Sequence, residues 1–285
     1  MNAGFIGAGK AGTVLGRYFA RHGLSVAGYC DASPSAAQAA ASLTSSRRFD
    51  AASELADASG LIFITVPDAA IADAWHELRD TADLAGKIVC HCSGCTTSAV
   101  LDGADGVGAR ACSVHPLLAL SDPLCPLDPV ERAHITLEGD ASAVSALQAL
   151  FGGLGNPVHV VDAADKGRYH AAAVFASNLV LAPLATAARL MESCGFDAPA
   201  AREALEPLVM GNARAFCEKG AAAALTGPVE RNDLPTAQRH LDDLDDEAAE
   251  MYRMLAKTLV SLAEEKHPDR DYADWNPFVE GKVNR

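Results

Sequence analysis

The stretch GFIGAGKAG, residues 4–12, decides the fold predicted for the rest of the sequence. It lies near the start of the chain, where a short apolar run leads into glycines with the spacing G-x-G-x-x-G. In such a turn the first glycine allows the tight bend, the second lets a pyrophosphate approach the backbone, and the third lets the helix pack on the strand. The free N–H groups at the start of the helix attract phosphate. We therefore predict a dinucleotide-binding turn, with an ordinary strand–turn–helix connection as the alternative. Its residues are Gly7, Ala8, Gly9, Lys10, Ala11 and Gly12.

Short apolar strands alternate with helical patterns over the first half of the chain. Strands are predicted at residues 3–6, 24–30, 48–49, 60–66, 87–91, 110–114 and 133–137, with a last one in NPVHVVD. Helices are predicted at residues 11–22, 35–43, from about 53, 68–78 and 139–155, the last capped by Gly155. This alternation predicts an α/β domain over residues 1–160, with a doubly wound, mostly parallel sheet.

Long helical patterns dominate after residue 166. They cover residues 166–194, 199–218 and 236–266, and Thr236 is the expected N-cap of the last helix. We therefore predict an all-α second domain over residues 161–285, with the boundary near residues 155–165. The tail from His267 to Arg285 has no clear period and receives no assignment.

Composition narrows the classes of partner. The net charge is −14, which argues against nucleic acid because no basic face is available to neutralise phosphates. No segment reaches about 18 consecutive apolar residues, so no membrane-spanning helix is expected. The eight cysteines occur in a chain with no secretion signal and are expected to be free thiols of a cytoplasmic protein.

Two further positions are candidates for contacts with a dinucleotide. Asp31 follows Gly12 by 19 residues, at the end of the second predicted strand, where an acid can accept hydrogen bonds from the adenine ribose. It would repel a 2′-phosphate and so mildly favours NAD over NADP; a turn or cap in CDASPS is the alternative role. Val66 and Pro67 end a buried strand and are assigned to the cofactor edge by position alone, while Asp68 can cap the next helix.

The motif CHCSGC places Cys90, His91, Cys92 and Cys95 within six residues. These are zinc ligand types, but the two nearest cysteines share one strand face while the histidine points away. No second CxxC or HxxxH pair completes a site, so we predict small buried thiols and no metal. Ser93 comes just after the strand, at the edge where ligands bind.

Polar residues in apolar surroundings suggest a reaction site. His115 follows a predicted strand, where it can act in acid–base chemistry or hydrogen-bond to loop backbone. Lys166 and His170 are four residues apart and share a helix face, to which Ser177 returns three turns later, with Asn178 at its edge. We predict that this stripe faces a cleft opposite His115; a surface stripe near the helix start is the alternative.

A polar loop precedes the last long helix, in ALTGPVERNDLPTAQRHL. Arg231 in this loop can supply an anion contact. An ordinary interhelical loop explains the same residues.

The motifs GAGKAG, VPDAAI, HCSG, VHPL, YHAAAVFASN and LTGPVERND, spread over residues 4–240, resemble one family. It is the group of Rossmann-like proteins with a C-terminal helical domain of unknown function, family 2520, commonly labelled NADP oxidoreductases, coenzyme F-420-dependent. More distantly the chain is similar to the 6-phosphogluconate dehydrogenase-like superfamily. The resemblance implies a Rossmann domain, an all-α 6-phosphogluconate dehydrogenase C-terminal-like domain, a homodimer formed through the helices, and an active site between the two domains.

The sequence departs from these relatives at informative positions. Hydroxyacid dehydrogenases pair a lysine with an asparagine four residues later, whereas His170 follows Lys166 here. The His-Pro pair resembles that of prephenate dehydrogenases, which implies that His115 assists hydride transfer. Asp31 stands where family members often carry Arg or Ser, and Asn232 replaces the glycine of an Arg-Gly-Asp turn. Because Asn tolerates a left-handed backbone, we expect the turn to survive.

These observations favour an NAD(P)-dependent oxidoreductase acting on a small, anionic substrate, with coenzyme F-420 as a second cofactor to consider. In this hypothesis His115 and His170 act as acid and base, Lys166 acts electrostatically or donates a proton, and Ser177, Asn178 and Arg231 orient the substrate. The main alternative is a dinucleotide sensor without turnover. A methyltransferase is a third hypothesis, and the helical second domain argues against it.

Overall fold

The computed structural model describes residues 2–282. Residues of the first half form one eight-stranded sheet with the order β3-β2-β1-β4-β5-β6-β7-β8. The strands are β1 (Ala3–Ile6), β2 (Val26–Cys30), β3 (Arg47–Arg48), β4 (Leu61–Ile64), β5 (Ile88–His91), β6 (Arg110–Pro116), β7 (Ile135–Gly139) and β8 (Val158–Val160). The order reverses on either side of β1, so the predicted doubly wound sheet is confirmed.

Strands β1 to β6 run parallel, and β7 is antiparallel to β6 but parallel to β8. Every residue of β1, β4 and β5 is buried, as expected for strands covered by helices on both faces. The aromatic core on one face includes Phe5, whose ring stacks on Tyr29 and Phe63 at centroid distances of 5.2 and 5.3 Å. The carboxyl ends of β1, β4, β5 and β6 therefore meet at one edge.

Six helices accompany the sheet. They are α1 (Lys10–Arg21), α2 (Pro34–Leu43), α3 (Ala52–Asp57), α4 (Ile71–Thr81), α5 (Asp128–Glu131) and α6 (Ala141–Gly153). Seven helices follow, α7 (Lys166–Ala176), α8 (Leu181–Ser193), α9 (Ala198–Lys219), α10 (Ala221–Ala224), α11 (Leu234–Asp242), α12 (Asp246–Lys266) and α13 (Trp275–Val279). The chain divides into two compact units, one ending at Ser177 and one beginning at Asn178. Helix α7 thus belongs to the first unit, although its sequence pattern continues into the second.

Two of the predicted long helices are interrupted. The first stops at Ala176 and resumes at Leu181, and the hydroxyl of Ser177 donates to the carbonyl of Ala173 at 2.7 Å. Such side-chain bonds compete with the helical backbone ladder. The other is divided by residues 243–245, and Asp245 caps the second part by accepting from the backbone of Ala248.

The expectation that Thr236 caps a helix is wrong. Helix α11 begins at Leu234, and Asp233 is its N-cap, accepting a hydrogen bond from the backbone N–H of Thr236 at 3.1 Å. A carboxylate at this position bonds a free N–H and interacts favourably with the helix dipole, so it competes well with a threonine placed three residues later.

The tail that the sequence left unassigned folds back on the turn before α11. Asn232 adopts the left-handed conformation, with φ +59°, as expected for a residue that replaces glycine. Its side chain donates to the carbonyl of Asp271 at 2.9 Å and accepts from the indole N–H of Trp275 at 2.7 Å. Trp275 is fully buried, so the tail completes the core of the second unit.

One helical stretch, Ala163–Ser193, is long and apolar enough to cross a membrane by length and composition. Its most apolar window has a mean hydropathy of 1.7, and none of that window is buried. Large apolar side chains are also exposed on α9 and α12, so the uncovered apolar surface is not confined to this stretch.

Candidate active site

The turns that follow β1, β4 and β5 and the end of β6 lie at one edge of the sheet, because parallel strands end on the same side. The turn after β1 is bonded to the turn after β4, since the Thr65 hydroxyl donates to the carbonyl of Gly7 at 2.7 Å. Val66 follows directly and is partly buried, and Pro67 is exposed beside it. The residues assigned to the cofactor edge by position are therefore adjacent to the glycine turn.

Two glycines of the turn are required by the fold itself. Gly7 has φ +103°, and a Cβ there would lie 2.7 Å from the carbonyl carbon of Thr65. A Cβ on Gly12 would collide with the carbonyl of Gly7 and the hydroxyl of Thr65. These contacts explain the glycines by packing alone, whether or not a ligand binds.

Gly9 is different, because nothing in the fold requires a glycine there. Its φ is −76°, which any residue can adopt, and a Cβ would meet no atom within 4 Å. Gly9 is also the N-cap of α1, and no side chain caps the free N–H groups of this helix. An open approach to an uncapped helix N-terminus is what a pyrophosphate needs.

The Asp31 carboxylate binds backbone at both of its oxygens. One accepts from the N–H of Ala8 in the glycine turn at 2.6 Å, and the other accepts from the N–H of Ser33 at 2.7 Å. The turn-forming role is therefore present in the structure, and a contact with ribose stays a prediction. A negative charge is held directly beside the glycine turn.

Ser93, in the turn after β5, organises this edge of the sheet. Its hydroxyl donates to the Asp68 carboxylate at 2.6 Å and accepts from the N–H of Thr96 at 3.0 Å. Its own N–H donates to Nδ1 of His91 at 3.2 Å. Ser93 is buried, so this network fixes the path of the turn.

Lys166 is almost completely buried, with 1% of its surface exposed. Its ammonium donates to the carbonyl of Ser93 at 3.1 Å and forms a short hydrogen bond to the hydroxyl of Ser113. Among residues 2–282, no carboxylate lies within ion-pair distance of it. Burial lowers the pKa of Lys166, opposed by the more distant charge of Glu138. The first turn of α7 is thus tied to the ends of β5 and β6.

His115 lies near the end of β6 and is partly buried. Its Nδ1 lies 2.7 Å from the hydroxyl of Tyr169. Burial, followed by the electrostatic effects of Lys166 and His170, lowers the pKa of His115 to about 4, while Asp68 acts in the opposite direction. The ring is therefore neutral near pH 7.

His170 approaches His115 over Gly94. The two imidazole rings are 5.9 Å apart and nearly perpendicular. A cleft between His115 and the stripe of Lys166, His170 and Ser177 stays a prediction. A Cβ on Gly94 would lie 2.9 Å from Nε2 of His115 and would collide with Nδ1 of His170. That Nδ1 is buried and has no hydrogen-bond partner in the part of the chain that the structure describes. Only a glycine lets both rings converge at this point.

The ligand types of CHCSGC do not converge. His91 is fully buried, accepts from Ser93 and lies 3.2 Å from the carbonyl of Thr97, so both ring nitrogens are engaged. Cys90 is buried, whereas Cys95 is exposed. Among residues 2–282 no group of three or more potential ligands could hold a metal ion. The absence of zinc stays a prediction, which elemental analysis can test.

The structure also places the remaining predicted residues. Ser177 ends α7 and bonds to the backbone of that helix. Asn178 and Arg231 belong to the second unit, and Arg231 is exposed. Hydrogen bonds from Thr236, followed by the charge of Arg231, lower the pKa of the neighbouring Asp233.

Sequence reasoning missed Tyr169 and Ser113 as parts of this edge. Tyr169 is adjacent to His170, but it does not lie on the face that Lys166 and His170 share at a spacing of four residues. Ser113 had a usable signal, because it lies two residues before His115 in a strand, on the same face. Gly94 directly follows Ser93 and is expected at this edge, but nothing in the sequence indicates that two histidines meet over it.

Comparison with known families agrees with this architecture. Residues 1–116 match the model of a Rossmann-like domain, and residues 133–259 match the model described as a domain of unknown function, DUF2520. None of the curated proteins compared with the chain matches it.

Several solved structures share the fold. A candidate NADP oxidoreductase from Bacteroides fragilis is 22% identical, with a TM-score of 0.75 over 91% of this chain and 98% of its own. Protein TM1727 of Thermotoga maritima is 23% identical, with a TM-score of 0.72 over 93% and 99%. An imine reductase from Myxococcus stipitatus in complex with NADP+ is 18% identical, with a TM-score of 0.62 over 98% and 100%. At these levels of sequence identity, the structural similarity shows that the proteins share a fold.

Proposed function

From a chain that joins a Rossmann-like domain to a DUF2520 domain, we propose an oxidoreductase that transfers a hydride between a nicotinamide cofactor and a small substrate. The observation that carries the proposal is Gly9, whose open side and uncapped helix suit a pyrophosphate and serve no packing purpose. The likeness to an imine reductase crystallised with NADP+ supports the same class.

The cofactor would be held by the glycine turn and its neighbours. The backbone of Gly9, Lys10 and Ala11 would bind the pyrophosphate at the start of α1. Val66 and Pro67 would line the cofactor beside Gly7, and Ser93 would hold the turn after β5 in place. Once bound, the nicotinamide supplies the site that gives or accepts hydride.

His115 and His170 are the proposed groups that bind the reacting end of the substrate. His115 is neutral near pH 7 and can donate or accept a hydrogen bond without carrying a charge. His170 lies against it over Gly94, so one small group could contact both rings after a modest movement of this turn. An exchange of protons at these nitrogens would accompany the hydride transfer.

Lys166 acts through its charge in this proposal. Both hydrogen bonds described above hold its ammonium within the sheet edge. A buried cation with no carboxylate beside it raises the local positive potential, which favours an anionic substrate. Ser177, Asn178 and Arg231 remain proposed substrate-orienting residues, and coenzyme F-420 remains a cofactor to test beside the two nicotinamide cofactors.

The test combines cofactor binding with turnover. The protein is assayed with NADH, NADPH and reduced F-420 against panels of small ketones, 2-oxo acids and cyclic imines. We expect His170→Ala to lower kcat/KM at least tenfold, while the Kd for the cofactor changes less than twofold. Binding of cofactor with no turnover of any panel member would favour the dinucleotide sensor. If His170→Ala weakened cofactor binding by the same factor as it lowered kcat/KM, His170 would not belong to the reaction site.

We also propose that a second copy of the chain covers the exposed apolar helices. Large side chains on four helices are 60% to 70% exposed, namely Phe175, Leu181, Leu208, Phe216 and Met254. Such an extent of apolar surface marks an interface. A membrane is disfavoured as the partner, because Arg168, His170 and Arg189 lie along the most apolar stretch.

Sedimentation tests this assembly. We expect the wild-type chain to sediment as a dimer and the double variant Leu208→Asp, Phe216→Asp to sediment as a monomer. Leu43→Asp is the control, since Leu43 is 47% exposed on α2, a helix of the first unit. A monomeric wild type, or pelleting with liposomes in place of dimer formation, would contradict the proposal.

A further inference from the structure

His115 has two ring nitrogens with different surroundings. Nδ1 lies 2.7 Å from the hydroxyl of Tyr169. Nε2 lies beside Gly94 and has no hydrogen-bond partner among the described residues. Since a neutral imidazole carries only one proton, the partner of Nδ1 decides what Nε2 can offer to a substrate.

Thr136 also lies near Tyr169. It stands opposite His115 in the antiparallel pairing of β6 and β7. Burial raises the pKa of Tyr169, and a hydrogen bond with the Thr136 side chain opposes this rise. When the threonine hydroxyl donates to the phenol oxygen, the phenol proton is free for Nδ1 of His115.

The two possible directions differ in how well donor and acceptor match. A phenol hydroxyl is a stronger donor than the N–H of a neutral imidazole, and an unprotonated imidazole nitrogen is a stronger acceptor than a phenol oxygen. Donation by Tyr169 to Nδ1 therefore pairs the stronger donor with the stronger acceptor.

The charges around the ring keep it neutral, so that the choice of tautomer matters. Burial is the largest cause of the low pKa of His115, which falls to about 4. Lys166 and His170 also oppose protonation of the ring, and Asp68 is the acidic group that favours it.

We propose that Tyr169 is a positioning residue, whose hydroxyl donates to Nδ1 of His115 and holds the ring in the tautomer with its proton on Nε2. This inference rests on the proposed function for its consequence: His115 then donates a hydrogen bond to the substrate. The group that it contacts is a hydrogen-bond acceptor, such as a carbonyl oxygen or a neutral imine nitrogen. A protonated iminium is a hydrogen-bond donor, and it would find no acceptor at Nε2, because that nitrogen carries the proton.

The experiment is side-chain 15N NMR on the full-length protein, labelled at its nine histidines, at about pH 7. Loss of one spin system in His115→Gln assigns the ring. We expect a pyridine-like shift for Nδ1 and a pyrrole-like shift for Nε2 in the wild type. Tyr169→Phe should move both shifts toward the average of two tautomers and lower kcat severalfold, with the Kd for cofactor unchanged.

The chain offers a matched control. Tyr252 lies 3.0 Å from Nδ1 of His240, a tyrosine–histidine pair in the second unit. Tyr252→Phe removes the same hydroxyl and should leave the shifts of His115 unchanged. If Tyr169→Phe does not fold, Thr136→Val gives the second test, because removal of the donor should raise the population protonated at Nδ1.

The proposal is overturned if the wild-type ring carries its proton on Nδ1, or if Tyr169→Phe or Thr136→Val leaves the tautomer unchanged. These outcomes do not depend on turnover, because the NMR measurement requires neither cofactor nor substrate. An inactive protein with the expected tautomer would contradict the proposed function and leave the role of Tyr169 intact.

Discussion

Asp31 shows how one side chain can serve a turn and a ligand site at once. Both carboxylate oxygens bind backbone N–H groups, one of them in the glycine turn. The turn-forming alternative is therefore sufficient to explain the residue in the structure, while Ser33 caps α2. Its charge is nevertheless held where a dinucleotide's adenosine half would lie, so it still bears on the choice between the two nicotinamide cofactors.

Asp31→Ser tests this choice. We expect the wild type to bind NADH more tightly than NADPH, because the carboxylate repels a 2′-phosphate. The variant should reduce the ratio of the two Kd values about tenfold, which corresponds to about 1.4 kcal/mol. Fluorescence titration measures the Kd values for NADH and NADPH. Loss of the hydrogen bond from Ala8 in the variant affects both values alike, so it cancels in their ratio. Tighter binding of NADPH by the wild type would contradict the role assigned to Asp31.

Among the elements, the strands were easier to predict than the ends of the helices. The β1 strand and glycine turn carry strong local signals, and they form as predicted. The breaks at residues 177–180 and 243–245 depend on side-chain caps that compete with an otherwise helical pattern. The convergence of His115, His170 and Gly94 joins three distant segments. Each has a signal in the sequence, but no local pattern shows that both histidines meet over Gly94.

The turn at Asn232 gives a prediction at this scale. Asn232→Gly keeps the left-handed backbone but loses the bonds to Asp271 and Trp275, and should lower the free energy of unfolding by about 1–3 kcal/mol. Asn232→Ala should cost about 1–2 kcal/mol more, because alanine is strained at φ +59°. Urea denaturation measures both variants. Equal stability of the two would show that the backbone conformation is not maintained.

On the scale of the whole molecule, the fold fixes the ionisation of buried groups. His91 is fully buried, and burial, followed by the charge of Lys166, lowers its pKa from 6.5 to about 4. The unfolded chain therefore binds a proton at a higher pH than the folded protein does. The contribution of His91 to stability is complete above about pH 6.5 and is lost as the pH falls toward 4.

This linkage predicts acid sensitivity. Between about pH 7 and pH 4, the wild type should lose about 3 kcal/mol more unfolding free energy than His91→Gln, which cannot titrate. Urea denaturation at several pH values in this range gives the unfolding free energy of both proteins as a function of pH. Other titrating groups contribute equally to the two curves, so the difference between the curves reports His91. Parallel curves would show that His91 is not held in its neutral form.

The binding of the cofactor at the glycine turn is the central claim, and Gly9→Ala tests it most directly. A Cβ at this position meets no protein atom within 4 Å, so the cost is limited to that of alanine at an N-cap, and the thermal midpoint should fall by no more than about 3 °C. The same Cβ would stand in the path of a pyrophosphate, so the Kd for NADH or NADPH should rise at least tenfold. Gly152→Ala, another position with no close neighbour, is the control and should bind as the wild type does. The measurement is a cofactor titration of the three proteins beside their melting curves. The account predicts weaker binding by Gly9→Ala alone, with a melting temperature that falls by no more than a few degrees, whereas no binding by the wild type, or equal binding by all three, would contradict it.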